Sequence, residues 1–169
     1  MIFDPIVNVT SEFSMPFHAS DYIEVKRISG KGRGVFACRH INAGTVFEKV
    51  PVIVMPAEEV LESTECPVLA NYVFDWGKNT VALALGYGSI YNHSYSPNAR
   101  YDDKGRQTKI FTALRDIDAG EEITVNYNGH EEDLTPVGFD VIDPIPVSPY
   151  EDPDDRSSRL GETVQIAAS

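Results

Sequence analysis

Apolar and polar residues alternate over Tyr22-Ile-Glu-Val-Lys-Arg-Ile28, and this period of two predicts a first core strand. Three glycines in Ser29–Gly34 then break regular structure, and Val35-Phe-Ala-Cys38 resumes the β pattern. Thr45 to Met55 is rich in β-branched and aromatic residues and predicts another strand. Pro51 within it predicts an edge position or a break, because proline cannot donate to a ladder. Pro56–Glu62 has the proline and acidic residues of a helix's first turn, whereas Pro67–Trp76 reads equally as short helix or strand. An apolar run, Val81–Leu85, comes next. Ala99–Tyr101 and Thr108–Leu114 flank Asp103-Lys-Gly105, which predicts a hairpin, and Ile123–Tyr127 is a last β-rich run. Arg39–Gly44 and Arg115–Gly120 both read R-x-I-x-A-G and both lead into β-rich runs, as one hairpin solution used twice. Many short strands with one or two short helices predict a mostly β domain.

The ends differ in texture. Residues 1–20 show no sustained period and predict an extended arm, leaving residues 21–130 as the main domain. Residues 131–155 are acidic, punctuated by Pro136, Pro144, Pro146, Pro149 and Pro153, and residues 156–169 read as a flexible tail.

Charge narrows the partners. The 169 residues carry 26 acidic and 14 basic side chains, a formal net charge of -12. Phosphate-backbone binding needs clustered Lys and Arg, so direct nucleic-acid binding is not expected. Between Arg115 and Arg156 there is no Lys or Arg, yet half of the acidic residues lie there, which favours a cationic partner. Cys38 and Cys66 are isolated, and His18, His40, His93 and His130 lack paired ligand spacing, so neither a disulfide framework nor a metal site is expected. With no targeting segment or apolar span in this sequence, the expectation is a cytoplasmic protein away from membranes, with nuclear or chromatin association left open.

Candidate chemistry gathers in Gly86–Asn98, where two early glycines precede Asn92-His93-Ser94 and Ser96-Pro97-Asn98. Side chains of this kind compete with regular backbone pairing and suit an irregular loop that holds a ligand. The Gly30–Gly34 run could cradle a phosphate, but a strand follows instead of the helix that a dinucleotide fingerprint requires. No serine-hydrolase elbow is present. Asn92 can both donate and accept hydrogen bonds, and a tyrosine closing a strand, such as Tyr127, is in isolation most often half-buried core.

Taken in order, Gly32-Arg-Gly-Val-Phe-Ala37, Tyr91-Asn-His-Ser-x-x-Pro-Asn98 and Ala119-Gly-Glu-Glu-Ile-Thr-Val-Asn-Tyr127 closely resemble the SET-domain protein lysine methyltransferases. The resemblance covers roughly residues 22–140, and Tyr72-Val-Phe74 and Ala84–Gly88 resemble the minimal bacterial and viral type. It implies a β-clip-like fold of several small sheets in which the last segment passes through a loop as a C-terminal pseudoknot. It also implies S-adenosylmethionine as cofactor, bound by Lys31, Gly32, Arg33, Asn92, His93 and Tyr127, with Tyr127 catalytic. Tyr72 and Tyr87 are candidate walls of the lysine channel. The zinc-binding Cys clusters of larger relatives are missing, so Phe139 is the candidate that closes the channel in their place. The implied activity is methyl transfer to a lysine of a basic protein or peptide, such as a histone-like or ribosomal tail. The family also leaves a homodimer open. The alternative is an inactive SET-like binding module or an adaptor for basic proteins.

Overall fold

In the computed structural model, residues 17–105 and 107–142 are described. The strands are β1 (Ile23–Ile28), β2 (Gly32–Ala37), β3 (Val46–Pro56), β4 (Val73–Asp75), β5 (Thr80–Ala84), β6 (Asn92–His93), β7 (Ala99–Lys104), β8 (Thr108–Ala113) and β9 (Glu122–Val125). One short helix, α1 (Ala57–Leu61), and a 3-10 helix over Pro67–Tyr72 lie between β3 and β4. The ambiguous run Pro67–Trp76 is thus helical first and extended second. A four-stranded sheet has the order β1-β2-β9-β6, and a five-stranded sheet has the order β4-β5-β3-β8-β7. All pairings are antiparallel except β6 with β9. The architecture is the mostly β, multi-sheet one expected. Of the terminal segments, residues 1–16 of the arm, 143–155 of the acidic stretch and the 156–169 tail fall outside the described residues.

Pro51 neither ends β3 nor sits at the sheet's edge. Residues 46–51 pair with β8 and residues 52–56 pair with β5, so the proline marks where the strand changes partners. Its carbonyl still accepts from Leu85 N–H at 3.1 Å, and no N–H is needed where the ladders exchange. Upstream, the β3–β8 register slips between Val46 and Glu48. The extra residue breaks the alternation of faces, and consecutive Phe47 and Glu48 are both buried.

The twin R-x-I-x-A-G segments are not hairpins. Arg39–Gly44 carries the chain from β2 to β3, and Arg115–Gly120 from β8 to β9, each time between the two sheets. They pair with one another: Ile41 and Ile117 exchange both backbone hydrogen bonds at 2.9 Å, and both side chains are fully buried. Each turn ends on a left-handed glycine, Gly44 at φ 78° and Gly120 at φ 87°. Val35, Phe111, Ile123 and Val125 complete this central core, at about 1.5–3 kcal/mol for each large side chain taken from water.

Among the described residues, no helix is long and apolar enough to cross a membrane.

Candidate functional site

The loop from Asn92 to Asn98 holds β9 from both ends. Asn92 and His93 pair with Thr124 and Val125. Asn98 Nδ2 donates to Glu122 O at 2.8 Å, and its Oδ1 accepts from Thr124 N–H at 2.9 Å. This clasp is the crossing that the resemblance implied. The glycines that launch the loop serve its packing. A Cβ on Gly86, at φ 65°, would lie 2.8 Å from Val50 Cγ1 and 3.0 Å from Glu48 Oε1. One on Gly88 would lie 2.7 Å from Ala84 Cβ.

The glycine loop meets this clasp through one buried carboxylate. Glu122 Oε2 accepts from Lys31 Nζ at 2.8 Å, and Oε1 accepts from Asn92 Nδ2 at 2.7 Å. The two charged side chains keep only 8% and 2% of their exposure. Asn92 Nδ2 also donates to Arg33 O at 3.0 Å. Both amide hydrogens therefore point into the protein, which fixes the amide's orientation and turns Oδ1 the other way as an acceptor. Space for this arrangement exists because residue 34 is glycine: a Cβ there would come within 2.9 Å of both Asn92 Nδ2 and Glu122 Oε1. Gly32, at φ 84°, is exposed and would meet nothing if substituted, so its role is the turn itself.

Tyr127 lies across the clasp. Its backbone N–H donates to His93 Nδ1 at 3.0 Å, and its hydroxyl donates to Tyr91 O at 2.8 Å. Tyr101 hydroxyl donates to Tyr127 O at 3.2 Å. Burial pushes the Tyr127 phenol up to about 12, helped by nearby Tyr72, Glu122 and Tyr101, so it is neutral over the ordinary pH range. The Phe139 ring stands 6.1 Å from both the Tyr127 and His93 rings. Its segment is tied down where Tyr95 hydroxyl donates to Thr135 O and accepts from Val137 N–H. Tyr127 and Phe139 thus share one aromatic group with His93, Tyr101 joins it through its bond to Tyr127 O, and Tyr72 is close enough to Tyr127 to raise its pKa. The Tyr87 backbone N–H donates to Glu48 Oε1 at 2.9 Å, which ties the start of the loop to β3.

Three residues of this region escape sequence reading. Glu122 is the nearer half of an acidic doublet, with nothing to mark it as the buried one. Glu48, on the buried face with Val50 and Val52, accepts from Tyr91 hydroxyl at 2.7 Å and anchors the loop to β3. Its desolvation raises the carboxyl's pKa. Tyr101 sits in a hairpin strand and gives no local signal at all.

The His93 ring carries a pH dependence. Because Nδ1 accepts, the neutral ring bears its proton on Nε2, which is buried without a partner. Burial lowers the pKa from 6.5, and protonation at Nδ1 would oppose the Tyr127 N–H. The unfolded chain therefore binds this proton more readily than the folded one. The contribution to stability is full above the unfolded value of about 6.5 and is lost as pH falls through the lower folded value. Thermal melts from pH 8 to pH 5 are expected to show a fall below pH ~6.5 that is smaller in His93→Gln. Parallel profiles for the two proteins would sink this assignment.

Among the described residues, no three His, Cys, Asp or Glu side chains gather as a metal site. The family model described as SET domain matches residues 32–128, the span from the glycine loop to just past Tyr127. A Schizosaccharomyces pombe protein named histone-lysine N-methyltransferase, H3 lysine-37 specific, is 36% identical over 109 residues, covering 64% of this chain and 74% of its own. The variant-silencing SET domain-containing protein of Plasmodium falciparum is 33% identical over 132 residues, which is 69% of this chain but 5% of that protein. A crystal structure of a Plasmodium falciparum protein described as a candidate histone methyltransferase superposes with a TM-score of 0.55 at 29% identity. It covers 66% of this chain and 95% of its own. The glycine loop, the Asn-His clasp and the segment from β9 to Tyr127 are consecutive parts of one matched domain, and the chain belongs to the SET-domain family.

Proposed function

We propose that this protein is a protein-lysine N-methyltransferase that uses S-adenosylmethionine and acts on a basic protein tail, with residues 21–130 as the catalytic unit. The single observation that carries this reading is the double engagement of Tyr127, by His93 through its backbone and by Tyr91 through its hydroxyl. It couples the Asn-His clasp to the aromatic group that can receive a lysine.

The residues fit the cofactor. Asn92 Oδ1 faces away from its two protein acceptors and suits a ligand ammonium. His93 Nε2 is a further buried donor that no protein group satisfies. Gly32 and Arg33 present backbone in the adjoining loop. Lys31, whose ammonium is bonded to Glu122, is assigned to holding that loop against β9. When bound, S-adenosylmethionine supplies a methyl group on a sulfonium centre.

A lysine amine has a pKa of about 10.4 and must lose a proton before it can attack. Enclosure among Tyr72, Tyr101, Tyr127 and Phe139 disfavours the ammonium and lowers that value. The Tyr127 hydroxyl proton is committed to Tyr91 O, so the oxygen offers the amine only a lone pair. Accepting an amine N–H there turns the amine's own lone pair along the line of transfer, and positioning of this kind is the main catalytic resource. A phenol held near 12 is a poor proton acceptor at neutral pH, so Tyr127 orients and does not deprotonate.

Basic substrates suit the surroundings. Burial, with Asp103 and Asp75 nearby, raises the Tyr101 phenol to about 12. The acidic residues after Arg115 continue the negative potential. The relatives' names make a histone-like tail the first acceptor to try. Calorimetry with S-adenosylmethionine is expected to give saturable binding, followed by radiolabelled methyl transfer to core histones. No heat at high micromolar cofactor would end the enzyme reading and favour a binding module.

A further inference from the structure

Lys109 is the most deeply buried cation among the described residues, at 1% exposure, and nothing in the mechanism above uses it. It lies on β8, one strand in from the sheet edge, opposite Asp103 on β7 and Val50 on β3. Its ammonium sits 4.3 Å from the Phe74 ring centre, 4.6 Å from that of Tyr101 and 5.3 Å from that of Trp76. Asp103 Oδ1 accepts from it at 2.5 Å. Three rings and one carboxylate make a cage of the kind that holds ammonium groups, here filled from within the chain.

The cage joins two elements that the backbone does not. Phe74 belongs to β4 and Tyr101 to β7, the opposite edges of the sheet. No ladder links these edges, yet the curl brings the two rings to 4.9 Å, edge to face. Tyr72 directly precedes β4 on one side. Tyr101 bonds Tyr127 O on the other. The separation of these edges therefore sets the separation of two walls of the aromatic group.

We propose that Lys109 is a positioning residue for the acceptor lysine: caged by Phe74, Trp76, Tyr101 and Asp103, it pins β4 to β7 and fixes the width of the channel between Tyr72 and the Tyr101–Tyr127 pair. This rests on the methyltransferase reading given above. An interaction between a buried cation and several aromatic faces is strong enough to hold two strand edges together, and it is lost with the charge. A neutral chain of similar volume keeps the packing and leaves only the half-exposed Asp103 behind.

The test compares Lys109→Met and Lys109→Arg in the full chain. Met fills the cage and makes sulfur–aromatic contacts, so the fold survives; Arg restores a cation that stacks on rings. Lys109→Met is expected to raise KM for the acceptor protein about tenfold while the Kd for S-adenosylmethionine stays within about twofold. Amide exchange over Val73–Asp75 is expected to quicken in the same variant, and Lys109→Arg to recover most of the acceptor KM. An unchanged KM, unchanged exchange, or a parallel loss of cofactor affinity would each overturn the positioning role. A native chain that binds no cofactor and transfers no methyl would instead overturn the methyltransferase reading, and that result comes before any variant is made.

Discussion

Tyr127→Phe is expected to cut methyl transfer about 100-fold while the affinity for S-adenosylmethionine stays within about threefold. The substitution removes one oxygen and leaves the ring, and with it the contacts at 5.2 Å to His93 and 6.1 Å to Phe139. The backbone N–H that satisfies His93 is also untouched. What disappears is the hydroxyl that donates to Tyr91 O and that, in the proposed mechanism, would align the amine through its lone pair. Loss of that hydrogen bond costs about 1 kcal/mol of stability, too little to unfold the domain. The split is the informative part. A variant that retains both binding and rate would remove Tyr127 from the chemistry. One that loses binding and rate together would show that the phenol merely supports the clasp.

Glu122→Ala is expected to destabilise the fold by about 3–5 kcal/mol and to abolish measurable cofactor binding. Lys31 would then carry a charge in a site where its side chain keeps 8% of its exposure, with its carboxylate gone. Asn92 would lose one of the two acceptors that fix its amide. Because small domains have only about 5–15 kcal/mol of stability in total, the variant alone risks unfolding. The paired change Lys31→Met with Glu122→Leu separates the two effects, since an apolar pair in place of a buried ion pair is often neutral for stability. Urea denaturation of that double variant is expected near the native midpoint, with calorimetry still showing no binding. Tight binding by the double variant would reduce Glu122 to a structural residue.

Much of the frame is legible from residue pattern because strands alternate. The runs around Ile23, Val35, Val46, Ala99 and Thr108 all became strands, and Asp103–Gly105 is the hairpin its residues suggest. The motif residues Asn92, His93 and Tyr127 do converge. What pattern cannot show is partner choice. Pro51 looked like a strand ending because a one-dimensional reading has no way to express a strand that changes neighbours halfway. The twin R-x-I-x-A-G segments looked like two local turns, although each finds its hydrogen bonds in the other. Glu48 and Lys109 are in phase with the buried Val50 and Phe111, but their charge marks them for solvent, and Glu122 is out of phase with buried Ile123 and Val125. Non-local partners hold these charges inside: Tyr91 and Tyr87 at Glu48, the rings and Asp103 at Lys109, and Lys31 with Asn92 at Glu122.

The clasp around β9 also sets an order of events. β9 is the last strand of the domain, and its partners are β2, near the start, and β6, in the middle. Contacts so distant in sequence close slowly, since the loop entropy must be overcome before any pairing is gained. A nascent chain that has emerged only as far as Arg115 already has its glycine loop and its Asn-His pair. It has no Glu122 to gather them and no Tyr127 amide for His93. Such a chain could complete the five-stranded sheet and still lack a site, so cofactor affinity reports the final step of folding and not the bulk of it.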